Sequence, residues 1–377
     1  MFSGDVLLAK HDFLQKNGTV PSRAIWSWVM IRRILCIGLM LSARLATLAG
    51  RLVGQEPALG NPAPLPLPTL GGKQFWADEL LFHQWRIQRN VFTEHCRLLD
   101  ERNLRYASGT YDECLAVLER IKQDRRLPPM KGKVIVVLHG LGRSRASMDS
   151  LCQFLHEQGG YEVFNIEYPS TRYDMAAHAH SLRHIINNLH GIEEINFVGH
   201  SMGNIVIRHY LGDLARQDPT KQSPNAAAAD RRAKMRFGRF VMLAPPNQGA
   251  LLAATFADNF LFKEITGDAG QQLGRDWPEL EKRLATPDFE FGIIVGGKGN
   301  DKGYNPILKG DNDGVISIET AKLAGAHDFV RLPLLHSFIM DNAKVQQYTL
   351  CFLQHGYFIS ADERHPLEKR KQPEKTP

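Results

Sequence analysis

Short, nearly continuous apolar runs alternate with longer amphipathic stretches through the later part of the chain. Lys133-Val134-Ile135-Val136-Val137-Leu138 is the first run, and comparable ones fall at 163–168, 195–199, 240–243, 291–295 and 329–332. A run without a polar face predicts a strand covered on both sides, as in a parallel sheet. The stretches 147–158, 174–189, 202–214 and 341–353 carry apolar residues at helical spacing. Strands alternating with helices predict βαβ units. The expected class is α/β, with a mostly parallel sheet of about six strands flanked by helices.

Upstream the pattern differs. Phe75, Leu80, Leu81, Trp85, Ile87, Val91, Phe92 and Leu98 recur at mixed three- and four-residue spacing, which predicts an N-terminal helical extension over 74–130. A second helix in this region is expected after Ser108-Gly109-Thr110, with Thr110 as N-cap and Glu113 three residues on. Residues 55–73 carry Pro57, Pro62, Pro64, Pro66 and Pro68 and read as a semi-rigid linker. Within 1–54, Arg32-Arg33 precede the apolar run from Ile34 to Leu41, resembling the start of a signal peptide. Thr47-Leu48-Ala49 is an imperfect cleavage site, and on this reading Met30 is a more natural start than Met1. A membrane anchor over 34–53 is the rival reading, although Arg44 and Arg51 interrupt it, and an amphipathic surface helix is the third. The first two favour an exported or membrane-associated protein over a cytoplasmic one. An exposed excursion is expected over 213–234 and a charged, flexible tail over 359–377.

Composition adds boundaries. With 377 residues, 43% hydrophobic and 23% charged, the chain has ample length for one large core, expected over 131–358, with appendages on either side of it. The net charge of +6 is mildly basic, and no basic stripe is interleaved with aromatics, so nucleic acid is not an expected partner. A basic surface is compatible with membrane association. Cys36, Cys96, Cys114, Cys152 and Cys351 show neither CxxC nor zinc spacing; in an exported protein Cys96 and Cys114 could pair. His180 and His184 sit four apart on an expected helix, but with no third ligand identifiable they read as a packed or solvated face.

The strongest chemical signal is Phe197-Val198-Gly199-His200-Ser201-Met202-Gly203, between an apolar strand and an amphipathic helix. Strand, Gly-x-Ser-x-Gly and helix in this order make a nucleophile elbow. The five-residue pattern alone would arise by chance in roughly one such chain in ten, so its context carries the argument. The first strand of the sheet ends in His139-Gly140-Leu141-Gly142-Arg143-Ser144, a glycine-rich turn whose backbone can approach a ligand closely. It lacks a P-loop lysine, and no G-x-G-x-x-G is present.

Together with Tyr168-Pro169-Ser170-Thr171, Leu243-Ala244-Pro245-Pro246-Asn247-Gln248-Gly249, Asn312-Asp313-Gly314-Val315-Ile316 and His336, these motifs make 131–340 resemble the α/β-hydrolases, specifically bacterial lipases and esterases. Six of that fold's eight strands are evident, leaving the first two absent or within the N-terminal region. The resemblance implies a serine hydrolase cleaving carboxylic, including lipid acyl, esters through an acyl-enzyme. Ser201 is then the nucleophile, His336 the base and Asp313 the acid, with Asp311 the second choice and Asp301 the third. The backbone N–H groups of Leu141 and Met202 would form the oxyanion hole. No metal or organic cofactor is implied. A thioesterase or acyltransferase would use the same residues, and a non-catalytic binding protein on this fold is a further alternative. The apolar segments at 251–256 and 260–262 suit either an acyl chain or ordinary core.

Overall fold

The computed structural model describes residues 67–68, 74–216, 235–250 and 260–368. The chain divides between Ala63 and Pro64, and the described residues belong to the second unit. The signal, anchor and start-site expectations fall outside them, as do most of the proline-rich linker and the excursion at 217–234.

The described part opens with an antiparallel sheet: β1 (Leu67–Pro68), β2 (Trp76–Phe82), β3 (Trp85–Asn90), β4 (Cys96–Leu99) and β5 (Leu104–Gly109), in the order β1-β5-β4-β3-β2. The helical extension expected from residue 74 is therefore corrected to strands as far as Gly109. Trp85-Arg86-Ile87-Gln88 alternates with period two, and Arg86 and Gln88 are buried because both hydrogen-bond to Asp78 of β2. Polar side chains satisfied in this way read as a surface in the sequence but occupy a second, buried face. A bulge between Asp78 and Leu80 further blurs the period. The helix expected after Thr110 is present as α1 (Tyr111–Asp124), with both halves of its capping box formed.

The main sheet contains β6 (Gly132–Leu138), β7 (Glu162–Ile166), β8 (Ile192–His200), β9 (Arg236–Leu243), β10 (Phe291–Gly296) and β11 (Asp328–Leu332). Its order is β11-β10-β9-β8-β6-β7, and every pair is parallel. The helices are α2 (Asp149–Gly159), α3 (Met175–Asn187), α4 (Met202–Ala215), α5 (Phe260–Leu273), α6 (Trp277–Glu281), α7 (Ile318–Ala321) and α8 (Ala343–His355). Val134, Val136 and Leu138 of β6 pack with α3 and α4, whereas Ile135 and Val137 pack with α2 and α8. Both faces are covered, which is why the strand sequences are continuously apolar.

The antiparallel sheet meets the main sheet beyond β7. Asp78 N–H donates to the Glu167 carbonyl at 2.9 Å, and Asp78 Oδ2 accepts from Glu167 N–H at 2.8 Å. Antiparallel strands of the N-terminal region thus stand beside the edge strand β7, where the sequence left two strands either absent or hidden in that region. The charged tail is also anchored further than expected, since Leu367 exchanges backbone hydrogen bonds with Gly325 and Ala326. Cys96, Cys114, Cys152 and Cys351 are free thiols, so Cys96 and Cys114 are not paired. No helix among the described residues is long and apolar enough to cross a membrane.

After β6 the chain steps outward to β7, then returns to place β8 on the other side of β6. Strand order reverses there, and in open α/β sheets the crevice beyond the carboxyl ends at such a point is where ligands bind.

Candidate active site

Ser201 lies at this switch point, between β8 and α4, with φ 52 and ψ −123. A side chain in that region costs of order 1–3 kcal/mol and persists only where its surroundings enforce it. Here Ser201 N–H donates to the Leu243 carbonyl at 2.9 Å, and the buried Asn204 amide donates to the Ser201 and Leu243 carbonyls at 3.0 and 3.2 Å. The flanking glycines are required by space. A Cβ on Gly203 would lie 2.6 Å from the Leu138 carbonyl oxygen, and one on Gly199 would lie 2.4 Å from Asn204 Oδ1.

Leu138 pairs with Gly199, and this register sets the turn after β6 beside the elbow. A Cβ on Gly140 would meet Ser201 Cβ at 3.0 Å, so glycine permits the close approach. The Gly140 carbonyl accepts from Arg143 N–H at 3.2 Å and from His139 Nδ1 at 2.9 Å. Gly142 N–H is taken by Ser170 Oγ at 3.0 Å. Leu141 N–H has no hydrogen-bond partner among the described residues. Met202 begins α4, so its N–H has no acceptor within the helix.

Asp313 and His336 come together at the ends of β10 and β11. His336 Nδ1 lies 2.7 Å from Asp313 Oδ2, and both residues are buried. Asp313 Oδ1 accepts from Val315 and Ile316 N–H at 2.9 and 2.7 Å. Gly296, ending β10, makes room: a Cβ there would be 2.7 Å from Asp313 Cβ. Asp311 is engaged elsewhere, accepting from Lys298 and Gly299 N–H at 2.7 and 2.9 Å. Its contacts tie the loop to the end of β10 and leave the histidine to Asp313. Asp301 lies in an exposed turn.

Polar residues to which the sequence assigned no catalytic role organise this arrangement. Fully buried Asn312 accepts from Asn305 and Gly314 N–H and donates to the Asn305 and Gly310 carbonyls, holding the loop that carries Asp313. His200 Nε2 donates to the His336 carbonyl at 3.1 Å, and the two rings lie 4.9 Å apart. Burial, then the neighbouring His336, push His200 well below the usual histidine range, keeping it neutral. Beneath the glycine-rich turn, His139 stacks on Tyr168 at 4.2 Å, and Tyr168 donates to the His139 carbonyl. Burial raises the Tyr168 phenol, which keeps it a donor. His178 packs edge-on against Tyr168, and burial lowers it to about 4. In the sequence His139, Tyr168, His200 and Asn312 stood only as members of the motifs that carry the resemblance, and His178 as one position of an expected helix.

His200 joins the elbow to His336, but the Ser201 hydroxyl forms no hydrogen bond with the His336 ring among the described residues. His184 lies 3.7 Å from Glu79 and against Tyr111, and no cluster suited to a metal ion occurs among the described residues.

No family model matches the chain, nor does any curated protein sequence. Solved structures do match. The mature form of the Bacillus licheniformis lipase BlEst2 is 20% identical, with 61% of this chain and 95% of that chain covered, at a TM-score of 0.40. Its propeptide form is 19% identical, with 66% of this chain and 54% of that chain covered, at 0.43. The lin2722 product of Listeria innocua is 14% identical, with 64% and 100% covered, at 0.42. The six parallel strands in the order β11-β10-β9-β8-β6-β7, helices on both faces and a strand–turn–helix elbow at the switch point give this chain the α/β-hydrolase fold.

Proposed function

We propose that the protein is a serine hydrolase that cleaves carboxylic esters through an acyl-enzyme on Ser201. The observation that carries this reading is the buried 2.7 Å contact from His336 Nδ1 to Asp313 Oδ2, at the sheet edge that also bears the left-handed serine. With Nδ1–H donated to Asp313, the Nε2 lone pair is left to act as a base; this tautomer follows from the hydrogen-bond network. His336 takes the Ser201 proton as the oxygen attacks the ester carbonyl, and Asp313 stabilises the imidazolium that forms. Leu141 and Met202 N–H groups receive the negative charge developing on the carbonyl oxygen. One such donor is typically worth about a hundred- to a thousandfold in rate. His336 then protonates the leaving alcohol, and water repeats the sequence to release the acid. The chain's own residues suffice for these steps.

An apolar acyl group is favoured by what stands beside the acid and base. Val315, Leu335 and Phe338, each within two residues of Asp313 or His336, are 36%, 42% and 61% exposed. The test is labelling by a fluorophosphonate of the native protein and of Ser201→Ala, followed by turnover of a series of esters of increasing chain length. Labelling that requires Ser201, with turnover rising toward longer chains, is expected. Absence of both labelling and turnover would remove the reading; a short-chain maximum would remove only the lipid assignment.

A further inference from the structure

Gln74 stands just before β2, far in sequence from the elbow, and holds φ 74, a left-handed conformation that a side chain disfavours. Its amide joins two loops. Nε2 donates to the Arg143 carbonyl at 2.5 Å, while Oε1 accepts from Thr171 N–H at 2.9 Å, Thr171 Oγ1 at 3.1 Å and Ser170 Oγ at 3.3 Å. Ser170, fully buried, uses the same oxygen to accept from Gly142 N–H at 3.0 Å.

We propose that Gln74 is a positioning residue for the turn at 140–143, and through it for the Leu141 N–H of the oxyanion site. The proposal rests on reading Ser201 as the nucleophile. Because a peptide unit is planar and trans, the Gly140 carbonyl and the Leu141 N–H point in opposite directions. The Gly140 carbonyl is held by Arg143 N–H, Arg143's own carbonyl by Gln74, and the intervening Gly142 N–H by Ser170, which Gln74 also holds. With these three points fixed, the Leu141 N–H faces away from its own turn. Released, the Gly140–Leu141 peptide could rotate and present a carbonyl oxygen where an oxyanion must sit. Gln74 touches neither substrate nor reacting atoms, so its effect belongs to the transition state more than to substrate binding.

The test uses full-length protein, with rates expressed per Ser201 site titrated by fluorophosphonate. In Gln74→Ala, kcat is expected to fall roughly ten- to a hundredfold with KM changed by less than about threefold, a fraction of one oxyanion donor's worth. Affinity for a boronic acid that mimics the tetrahedral intermediate should fall by the same factor. Gln74→Glu preserves the shape and supplies the test if the alanine variant does not fold. Its carboxylate can accept from Thr171 but cannot donate to Arg143, so it should be impaired at neutral pH. Relative to native protein at the same pH, it should recover as the carboxyl is protonated near about pH 4–5. Native kcat and native boronate affinity in both variants, alongside a normal Ser201 adduct, would overturn the proposal alone. No adduct in native protein would overturn the nucleophile reading and this proposal with it.

Discussion

Asp313 holds His336 twice: its carboxylate lies 2.7 Å from the ring Nδ1, and its backbone carbonyl accepts from His336 N–H at 2.9 Å. The double attachment fixes the ring and the chain that carries it, while Val315 and Ile316 N–H groups hold the carboxylate from the other side. Asp313→Asn would place an amide where an acceptor is needed and favour the wrong tautomer. Turnover should drop by about a thousand- to ten-thousandfold with the fold retained. Asp311→Asn should instead leave turnover within a few-fold of native, because Asp311 contacts the backbone of Lys298 and Gly299 rather than the histidine. Steady-state kinetics of the two variants measure the difference, and equal loss in both would remove Asp313 from its assigned role.

The strain at Ser201 should be recoverable as stability. At φ 52 and ψ −123 only glycine is at ease, so Ser201→Gly should abolish turnover and raise unfolding stability by about 1 kcal/mol. Denaturant midpoints at constant m-value report this; an unchanged or lower midpoint contradicts the strain account.

Gly203→Ala tests the close packing of α4 on β6. The added methyl would lie 2.6 Å from the Leu138 oxygen and 2.8 Å from the His139 oxygen, both rigid backbone atoms. A stability loss of about 3 kcal/mol, together with weakened fluorophosphonate labelling, is expected from overpacking at this junction.

His178 makes stability depend on pH. Burial lowers it to about 4 from the ordinary 6.5, so between these values the unfolded chain binds a proton that the folded protein does not. Stability is therefore full above about pH 6.5 and falls as pH drops toward 4, by about 2 kcal/mol at pH 5. His178→Phe keeps an aromatic ring against Tyr168 and should flatten the profile in that window. Unfolding free energies at pH 7 and pH 5 for both proteins check the slope, and parallel losses would assign the acid sensitivity elsewhere.

The sequence by itself determined the elements whose signals are local. Continuous Val and Ile runs mark strands that bury both faces, as in β6, and Thr110 with Glu113 marks the start of α1 through bonds made within four residues. The glycines around Ser201 were legible because the clashes they avoid recur wherever a strand turns sharply into a helix. Even the alternation Trp85-Arg86-Ile87-Gln88 stood in the sequence, although apolar spacing over a longer window suggested a helix. What turns it into a strand is Asp78, which satisfies Arg86 and Gln88 in the interior and docks on Glu167, 89 residues away. The motif resemblance already ranked Asp313 above Asp311; what tertiary structure added is that Asp313 meets the His336 ring while Asp311 meets the backbone amides of Lys298 and Gly299. Tertiary structure alone brought Gln74 to Arg143 and Thr171, and His200 to the His336 carbonyl. Local code specifies conformation over a few residues; the partner of a buried polar group is fixed only when distant segments pack together.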